Sequence, residues 1–198
     1  DIRKDSLYCD DIKSIKRRST STCLHIIFEF LTKWLSPIVS FTCEEAWKSR
    51  NYNNDESILL QNIKEDEFNY KDISLEEVFD EIKRVRKIVT SALELKRNEK
   101  LIGSSLQAKV ILFLSQDSIK IIQDLDLAEM FIVSEVEVKD ISNKSSDAIN
   151  FEDEEVYVEI QLSEGTKCER CWTVLPEVSK NKNNLCNRCE DVWKSFQK

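Results

Sequence analysis

The stretch that decides the fold is Lys167-Cys168-Glu169-Arg170-Cys171-Trp172, followed by Leu185-Cys186-Asn187-Arg188-Cys189. Each part holds a Cys-x-x-Cys pair, and residues 172–185 separate the two pairs. Two residues between cysteines let both sulfurs face one ion, and two such turns supply the four thiolates of a tetrahedral structural zinc site. The sequence therefore predicts one structural Zn²⁺ held by Cys168, Cys171, Cys186 and Cys189, with no position left for a catalytic water.

The surroundings of these cysteines fit a small zinc ribbon. We expect short strands joined by a turn near residues 181–184, and we expect Lys167, Arg170 and Arg188 to offset the excess negative charge of four thiolates on one Zn²⁺. A redox pair or disulfides are the alternative, but redox motifs do not usually occur as two matched pairs so close together. Folding beyond about Gly165 should then depend on the metal.

Three further cysteines, Cys9, Cys23 and Cys43, lie singly in helical, mostly apolar surroundings. An odd and scattered remainder is typical of reduced thiols in a cytosol rather than of a disulfide framework. We therefore expect these three residues to be small core side chains.

The net charge is −8, which argues against a protein that coats nucleic acid non-specifically. The charge is unevenly distributed, however. Residues 83–100 carry seven basic residues against two acidic ones, and residues 166–198 carry seven against four. These basic patches are open to two interpretations, a solvated face or a surface for RNA.

Nothing in the sequence predicts a membrane partner. No stretch approaches the roughly 18 apolar residues of a membrane span, and the polar opening, residues 1–5, is unlike a secretory signal. The chain opens without Met, and its single Met is Met130. We therefore expect a piece of a longer cytoplasmic polypeptide.

The first part of the chain has helical periodicity. Apolar residues from Leu24 to Leu35 recur at spacings of three and four within a helix expected from about Asp10 to Leu35. Their wide stripe predicts packing on more than one side, as in a helical bundle. Ser36 and Pro37 should stop this helix and start another, with Ser36 as the N-cap.

The middle of the chain predicts a small α+β unit. Ser74-x-x-Glu77 resembles a capping box that opens a long amphipathic helix, and Gly103 is expected to end that helix. Four further segments follow: strand 108–114, helix 118–125, a strand near 131–138 and strand 156–162. The polar residues 140–155 are expected to form a mobile loop.

The residue pattern offers no catalytic constellation. The only histidine, His25, lies within a helix with no acidic or nucleophilic partner suggested nearby. The two glycines, Gly103 and Gly165, are too far apart for a glycine-rich phosphate loop. We therefore expect no turnover by this chain alone.

Several segments together resemble bacterial isoleucyl-tRNA synthetases. The two cysteine-containing segments are similar to the C-terminal zinc finger of that family, and a related finger ends the formamidopyrimidine-DNA glycosylases. Residues 97–106, Arg-Asn-Glu-Lys-Leu-Ile-Gly-Ser-Ser-Leu, are similar to the junction between a long helix and a strand. Three more segments look like the later helices of the anticodon-binding domain: Leu7-Tyr8-Cys9-Asp10, Arg17-Arg18, and Trp34 to Trp47.

The resemblance implies the fold class and the domains. The fold is expected to be mostly α with α+β parts: a helical-bundle portion, a small α/β junction unit and a C-terminal four-cysteine zinc ribbon. Residues 1–60 would be the C-terminal part of the anticodon-binding domain, residues 61–164 the long helix with the junction unit, and residues 165–198 the zinc-binding finger.

The resemblance also implies a function, the C-terminal tRNA-binding part of a class I isoleucine–tRNA ligase. The parent enzyme, expected to be a monomer, would use ATP and Mg²⁺ in catalytic and editing domains that precede this chain. The family's ATP-binding signature needs two histidines, and this chain has only His25. The family's Lys-Met-Ser-Lys-Ser loop is also missing, because Phe131 and Ile132 follow Met130. The alternatives are the nucleic-acid-binding end of a DNA-repair glycosylase and a stand-alone zinc-ribbon interaction module.

The expected partner is isoleucine tRNA. Lys and Arg would meet phosphates, and an exposed aromatic ring could stack on unpaired anticodon-loop bases. For Trp172, packing against the zinc knuckle is the open alternative, and Arg170 and Arg188 could serve only to balance thiolate charge. The RNA-binding candidates are Arg17, Arg18, Lys96, Arg97, Lys100, Arg170, Trp172 and Arg188.

Overall fold

The computed structural model describes residues 1–50, 56–62, 71–151 and 155–197. The chain divides into two compact units. We call Asp11–Lys71 the helical unit, and Asp1–Asp10 together with Asp72–Lys198 the mixed unit. The sequence-based domain boundaries at residues 60 and 164 stay a prediction.

The helical unit contains α2 (Ile15–Leu35) and α3 (Ser40–Arg50), and the first helix, α1 (Lys4–Cys9), belongs to the mixed unit. The side chain of Ser14 accepts a hydrogen bond from the Arg17 N–H, so α2 begins five residues after the predicted Asp10. Ser36 is the C-cap of α2 with helical φ and ψ, not the N-cap of α3. Pro37 lacks the N–H that would continue α2, and the chain turns before α3 begins at Ser40.

A small core holds α2, α3 and a 3₁₀ turn at Ile58–Leu60 together. It consists of Cys43, Trp47 and Ile58, with Phe28 packed against them. Glu44 fixes the 3₁₀ turn, because its carboxylate accepts from the Ser57 hydroxyl and the Ile58 N–H, both at 2.9 Å.

The apolar stripe of α2 differs from the prediction. Packing on more than one side was expected, yet Leu24, Ile27, Leu31, Trp34 and Leu35 are all exposed. Within the described part of the chain, the buried cluster of this unit takes only Phe28 from α2. The periodicity identified the apolar face of α2 correctly. It could not show whether other described residues of this chain cover that face.

The mixed unit is built around α4 (Ile73–Asn98). Asp72, rather than Ser74, caps the helix, because its carboxylate accepts from the N–H groups of Ser74 and Leu75. The helix ends at Asn98, before Gly103. The residue with left-handed backbone conformation that follows the helix is Lys100, with a φ of 62°. Both corrections move a helix boundary while leaving the predicted long helix in place.

A three-stranded sheet packs against α4. The chain runs from β1 (Ala108–Leu114) through α5 (Gln116–Ile122) and α6 (Leu127–Phe131) to β2 (Glu135–Asp140), which lies parallel to β1. The third strand, β3 (Val156–Leu162), pairs antiparallel with the other edge of β1, giving the order β2-β1-β3. The core joins one sheet face to α4 and includes Val85, Val89, Ala92, Val110, Leu112, Leu114, Val156 and Val158.

The predicted strands 108–114 and 156–162 are confirmed, whereas the predicted helix 118–125 and strand 131–138 are displaced. Ser115 caps α5 and Asp126 caps α6, so two short helices replace one. Phe131 then lies in the core at the end of α6, and β2 begins at Glu135.

Much of the polar stretch predicted as a mobile loop is ordered. A 3₁₀ turn at Ile141–Asn143 follows β2, and Ile149 forms a bridge to Val158 of β3. The ammonium group of Lys144 lies 4.1 Å from the ring centre of Tyr157, and Ser145 donates a hydrogen bond to Glu159. Residues 152–154 of the predicted loop lie outside the described residues.

None of the described helices combines the length and the apolarity needed to cross a bilayer.

Candidate metal centre

The four-cysteine module is framed by short elements. The strands β4 (Thr166–Lys167) and β5 (Val174–Leu175) pair across the first knuckle, residues 168–173. A 3₁₀ turn at Pro176–Lys180 leads toward the second knuckle, residues 186–189, and α7 (Asn187–Phe196) begins inside this knuckle. The turn at residues 181–184 therefore joins the 3₁₀ turn to the second knuckle, and not two strands as predicted.

Gly165 allows β4 and β5 to meet. Its φ is +116°, and a Cβ at this position would lie 2.3 Å from the Leu175 carbonyl carbon. Only glycine fits both the backbone conformation and the close approach.

The four sulfurs fit one tetrahedral ion. The Sγ atoms of Cys168, Cys171, Cys186 and Cys189 all lie within 4.8 Å of one another. The Cys171–Cys186 distance is 3.7 Å, close to the edge of about 3.8 Å that follows from tetrahedral Zn–S bonds of ~2.3 Å. Four cysteine donors in this arrangement match a closed structural Zn²⁺ site, and this zinc is the cofactor of the module.

Hydrogen bonds orient the sulfurs. The Cys186 N–H donates to Cys168 Sγ at 3.3 Å, and the Thr173 hydroxyl lies 2.7 Å from Cys171 Sγ. The first knuckle closes on itself, because the Cys168 N–H donates to the Thr173 carbonyl and the Trp172 N–H to the Cys168 carbonyl, both at 2.9 Å. The contacts to the sulfur atoms help to orient them toward one point.

Crowding perturbs the acidity of these thiols. The pKa of Cys171 is lowered because the thiols of Cys186 and Cys189 donate hydrogen bonds to its sulfur. The pKa of Cys189 is raised to about 12, since its proton is shared with Cys171. A divalent cation can take the place of these shared protons, because metal ligation requires the thiolate form.

The two predicted charge-balancing arginines face residues 1–10. Arg170 donates to the carbonyl oxygens of Cys9 at 2.6 Å and Tyr8 at 3.0 Å. Arg188 forms a bidentate pair with Asp5 and also donates to Asp10 at 3.1 Å. Their charges also act on the sulfurs, Arg188 on Cys171 and Arg170 on Cys189.

The sequence did not indicate that Asp5, Asp10 and Ser134 contact the zinc module. The acidic residues meet Arg188 across more than 170 positions of sequence. Ser134 links the zinc module to the sheet, because its hydroxyl accepts from the Val174 N–H at 2.7 Å and donates to the Leu106 carbonyl at 2.5 Å. No local pattern could have identified partners so distant in sequence.

The remaining cysteines behave differently from one another. Cys9 and Cys43 are buried, as predicted, but Cys23 is exposed on α2, so the prediction was wrong for that residue. Cys9 packs in the same cluster as the zinc cysteines. Its pKa is raised to about 11, first by burial and then by the charge of Asp5, so it remains a thiol that donates to the Arg170 carbonyl.

Trp172 is 60 % exposed and has a φ of 70°. The ammonium group of Lys167 lies 5.0 Å from its ring centre. Trp172 also lines a cavity of about 750 Å³ within the mixed unit, together with Tyr8 and Ile132. The two alternatives left open for this residue, stacking on RNA bases and packing against the knuckle, both stay predictions.

The other candidates lie on two units. Arg17 and Arg18 belong to α2 of the helical unit. Lys96, Arg97 and Lys100 cluster at the end of α4 in the mixed unit, where Lys96 pairs with Glu99 and Arg97 with Glu94. These ion pairs are exposed and therefore weak, so they would compete poorly with a polyanion.

His25 has partners that the sequence did not suggest. Its Nδ1 accepts a hydrogen bond from Arg50 Nε at 3.0 Å, and its Nε2 lies 3.4 Å from a Glu29 carboxylate oxygen one turn along α2. The expectation of no acidic neighbour was wrong, because an i,i+4 pair on one helix face suffices to bring the two together.

Comparisons with known proteins match both parts of the chain. The family of the anticodon-binding domain of tRNA ligase matches residues 1–112, and the zinc finger found in FPG and IleRS matches residues 165–192.

Similar curated proteins include three named isoleucine--tRNA ligase. Those of Gluconobacter oxydans, Caldicellulosiruptor bescii and Natranaerobius thermophilus are 38%, 39% and 35% identical to this chain over 97%, 98% and 100% of its length. The alignments cover 19%, 21% and 22% of those proteins, so the chain spans about a fifth of their length. Because the first family covers more than half of the chain, this chain belongs to the family of the anticodon-binding domain of tRNA ligases and carries the zinc finger found in FPG and IleRS.

Proposed function

We propose that this chain is the C-terminal, tRNA-binding part of an isoleucine–tRNA ligase. One observation carries the proposal: an anticodon-binding domain and an FPG/IleRS-type zinc finger follow one another in one chain. The similar proteins bear the name isoleucine--tRNA ligase. The parent enzyme would be a cytoplasmic monomer that joins isoleucine to its tRNA.

The zinc in this proposal is structural. Cys168, Cys171, Cys186 and Cys189 would fill all four positions of the ion and leave none for water. The metal supplies cohesion to a module whose own buried cluster is small. ATP and Mg²⁺ belong to the catalytic part of the parent enzyme, so this chain alone should be inactive.

The end of α4 is one proposed RNA contact. Lys96, Arg97 and Lys100 present three positive charges within five residues, and the opposing carboxylates of Glu94 and Glu99 are exposed. A tRNA backbone could replace these weak pairs with contacts to phosphates. Arg17 and Arg18, on α2, are the proposed contacts of the helical unit.

Trp172 is the proposed stacking residue. Its exposed ring and its strained backbone support this role, because positive φ at a bulky residue is costly and tends to occur at functional sites. Lys167 beside the ring would add a phosphate contact. Unpaired bases stack on such rings in single-stranded RNA loops.

Arg170 and Arg188 stand apart from the other candidates. Their guanidinium groups already hydrogen bond to the chain's first ten residues. RNA binding by either would have to break several charge-assisted hydrogen bonds, which are among the stronger ones. We therefore assign both arginines a structural role first and RNA contact second.

The test is a binding comparison with the zinc-loaded chain. Its affinity for isoleucine tRNA, for the same tRNA with a changed anticodon, and for a DNA duplex of similar length is measured at two salt concentrations. We expect the tRNA to bind best, with lower affinity after the anticodon change and at higher salt. A preference for duplex DNA would instead favour a glycosylase end, and binding to none of the three would favour a protein-interaction module.

A further inference from the structure

The first ten residues of the chain lie on the zinc module. We call residues 1–10 the N-terminal segment; it contains α1 (Lys4–Cys9). Asp5 and Asp10 bind Arg188, and the backbone carbonyls of Tyr8 and Cys9 bind Arg170. In return, the Cys9 thiol donates to the Arg170 carbonyl at 3.7 Å. Each contact joins residues more than 160 positions apart.

The segment depends on these contacts for its structure. A helix of six residues is far too short to be stable by itself in water. The last carbonyls of a helix lack partners within it, and here the Arg170 guanidinium supplies two of the missing hydrogen bonds. Its positive charge also lies at the negative end of the helix dipole.

The same two arginines face the metal ligands. Arg188 interacts with the sulfur of Cys171 and Arg170 with the sulfur of Cys189. Each arginine is next to a zinc cysteine in sequence, so the knuckle that holds the ion also sets the position of the guanidinium group. Each knuckle therefore places its guanidinium group against the N-terminal segment.

We propose that zinc binding and docking of the N-terminal segment are coupled through Arg170 and Arg188. With zinc bound, the knuckles hold the two guanidinium groups in position to hydrogen bond with α1. Four thiolates on one Zn²⁺ leave a net charge of about −2, which the arginines balance. Loss of the ion removes the geometry that holds them in place.

Coupling of this kind is reciprocal. If zinc strengthens docking of the segment by some factor, docking must strengthen zinc binding by the same factor. This inference rests on the zinc site of the proposed function, but it can fail alone: a chain that binds one zinc without the coupling keeps the site and loses the inference. A chain that binds no zinc loses both.

The first experiment compares amide exchange in the zinc-loaded and the metal-stripped full chain. The reporters are the N–H groups of Leu7 and Asp10, bonded to the Arg3 and Ser6 carbonyls. We expect both to lose protection on zinc removal, while the central amides of β1 and β3 stay protected as an internal reference. Full protection of Leu7 and Asp10 in the metal-free chain would overturn the inference.

The second experiment perturbs the segment and observes the metal. Asp5→Asn removes the carboxylate that pairs with Arg188, and the zinc affinity is measured by equilibrium competition with a chromogenic chelator. We expect about fivefold weaker zinc binding or more. Asp117→Asn is the matched control, since its exposed pair with Lys120 lies on α5. An unchanged zinc affinity in Asp5→Asn would overturn the coupling, even if the metal-free chain proves too unfolded for the exchange comparison.

Discussion

At the scale of single residues, the backbone of Trp172 is the most informative feature of the zinc module. The position after the second cysteine of the knuckle takes a φ of 70°, where glycine would be the unstrained choice. The residue at this position is nevertheless a tryptophan, whose ring is exposed and lies beside Lys167. We therefore propose a role in binding for this exposed and strained residue.

Trp172→Ala should weaken tRNA binding without loss of zinc. Stacking on an aromatic side chain contributes about 1–3 kcal/mol per base, which corresponds to a roughly five- to 150-fold rise in Kd. The measurement is tRNA affinity together with zinc content. Trp193→Ala, which removes another exposed indole on α7, is the control and should leave the affinity unchanged. Equal Kd values for Trp172→Ala and the unmodified chain would reject the stacking role.

Lys100, like Trp172, has a positive φ at a residue that is not glycine, and its side chain is charged. It occupies the left-handed position of a Schellman motif: its N–H bonds to the Arg97 carbonyl, and the Leu101 N–H bonds to the Lys96 carbonyl, both at 3.0 Å. The sequence suggested Gly103 for this role because glycine is the usual residue there. Neither composition nor spacing reveals that a lysine has taken the position.

Lys100→Gly should stabilise the chain while weakening tRNA binding. Relief of the positive φ contributes about 1 kcal/mol to the free energy of unfolding, whereas loss of one phosphate contact lowers affinity and its salt dependence. Urea unfolding and tRNA titration measure the two effects. Lys100→Asn, which tolerates this conformation without the charge, serves as the comparison. A destabilised glycine variant would contradict the assignment.

At the scale of elements, α4 is held at its start by Asp72. The pKa of Asp72 is lowered, first by the hydrogen bond from the Ser74 hydroxyl and next by the Leu75 N–H. A carboxyl whose pKa is lower in the folded state stabilises the fold above its unfolded value of 3.8. That contribution is lost as the pH falls below this value and through the folded pKa.

Asp72→Asn should therefore flatten part of the acid dependence of stability. Asparagine caps a helix nearly as well as aspartate but does not titrate in this range. Thermal unfolding from pH 6 down to about pH 3 should show a smaller loss of stability in the variant than in the unmodified chain. Identical slopes for the two proteins would show that the cap does not contribute to the acid dependence.

Elements with strong periodicity could be predicted, and their boundaries could not. The long helix and the strands β1 and β3 follow from apolar spacing. The ends of α2, α4, α5 and α6 depend on which polar side chain turns back to cap the backbone, and Ser, Asp and Thr all compete for that role. Ordering of residues 141–151 came from contacts with β3, which no local signal encodes.

At the scale of the whole molecule, the two units differ in the size of their hydrophobic cores. The mixed unit has a continuous core between α4 and its sheet. Among its described residues, the helical unit has a small apolar cluster of Cys43, Trp47 and Ile58 with Phe28 packed against it, and most of the α2 stripe is exposed. An exposed apolar face of this extent marks an interaction surface or a tendency to aggregate.

The metal site was the most predictable part of the molecule. Spacing alone identified Cys168, Cys171, Cys186 and Cys189, because the chemistry of the ion demands a fixed donor set. The partners of Arg188 outside the module could not be predicted from the sequence. Asp5 and Asp10 reach Arg188 only because the fold returns the end of the chain to its beginning.

X-ray absorption at the zinc K-edge of the purified chain tests the central claim most directly. The measurement counts the neighbours of the ion and their distances. We expect one zinc per chain with four sulfur neighbours at about 2.3 Å. A nitrogen or oxygen neighbour in place of a sulfur, or a metal-free chain whose residues 166–197 are fully ordered, would contradict the claim that four thiolates and one ion hold this module together.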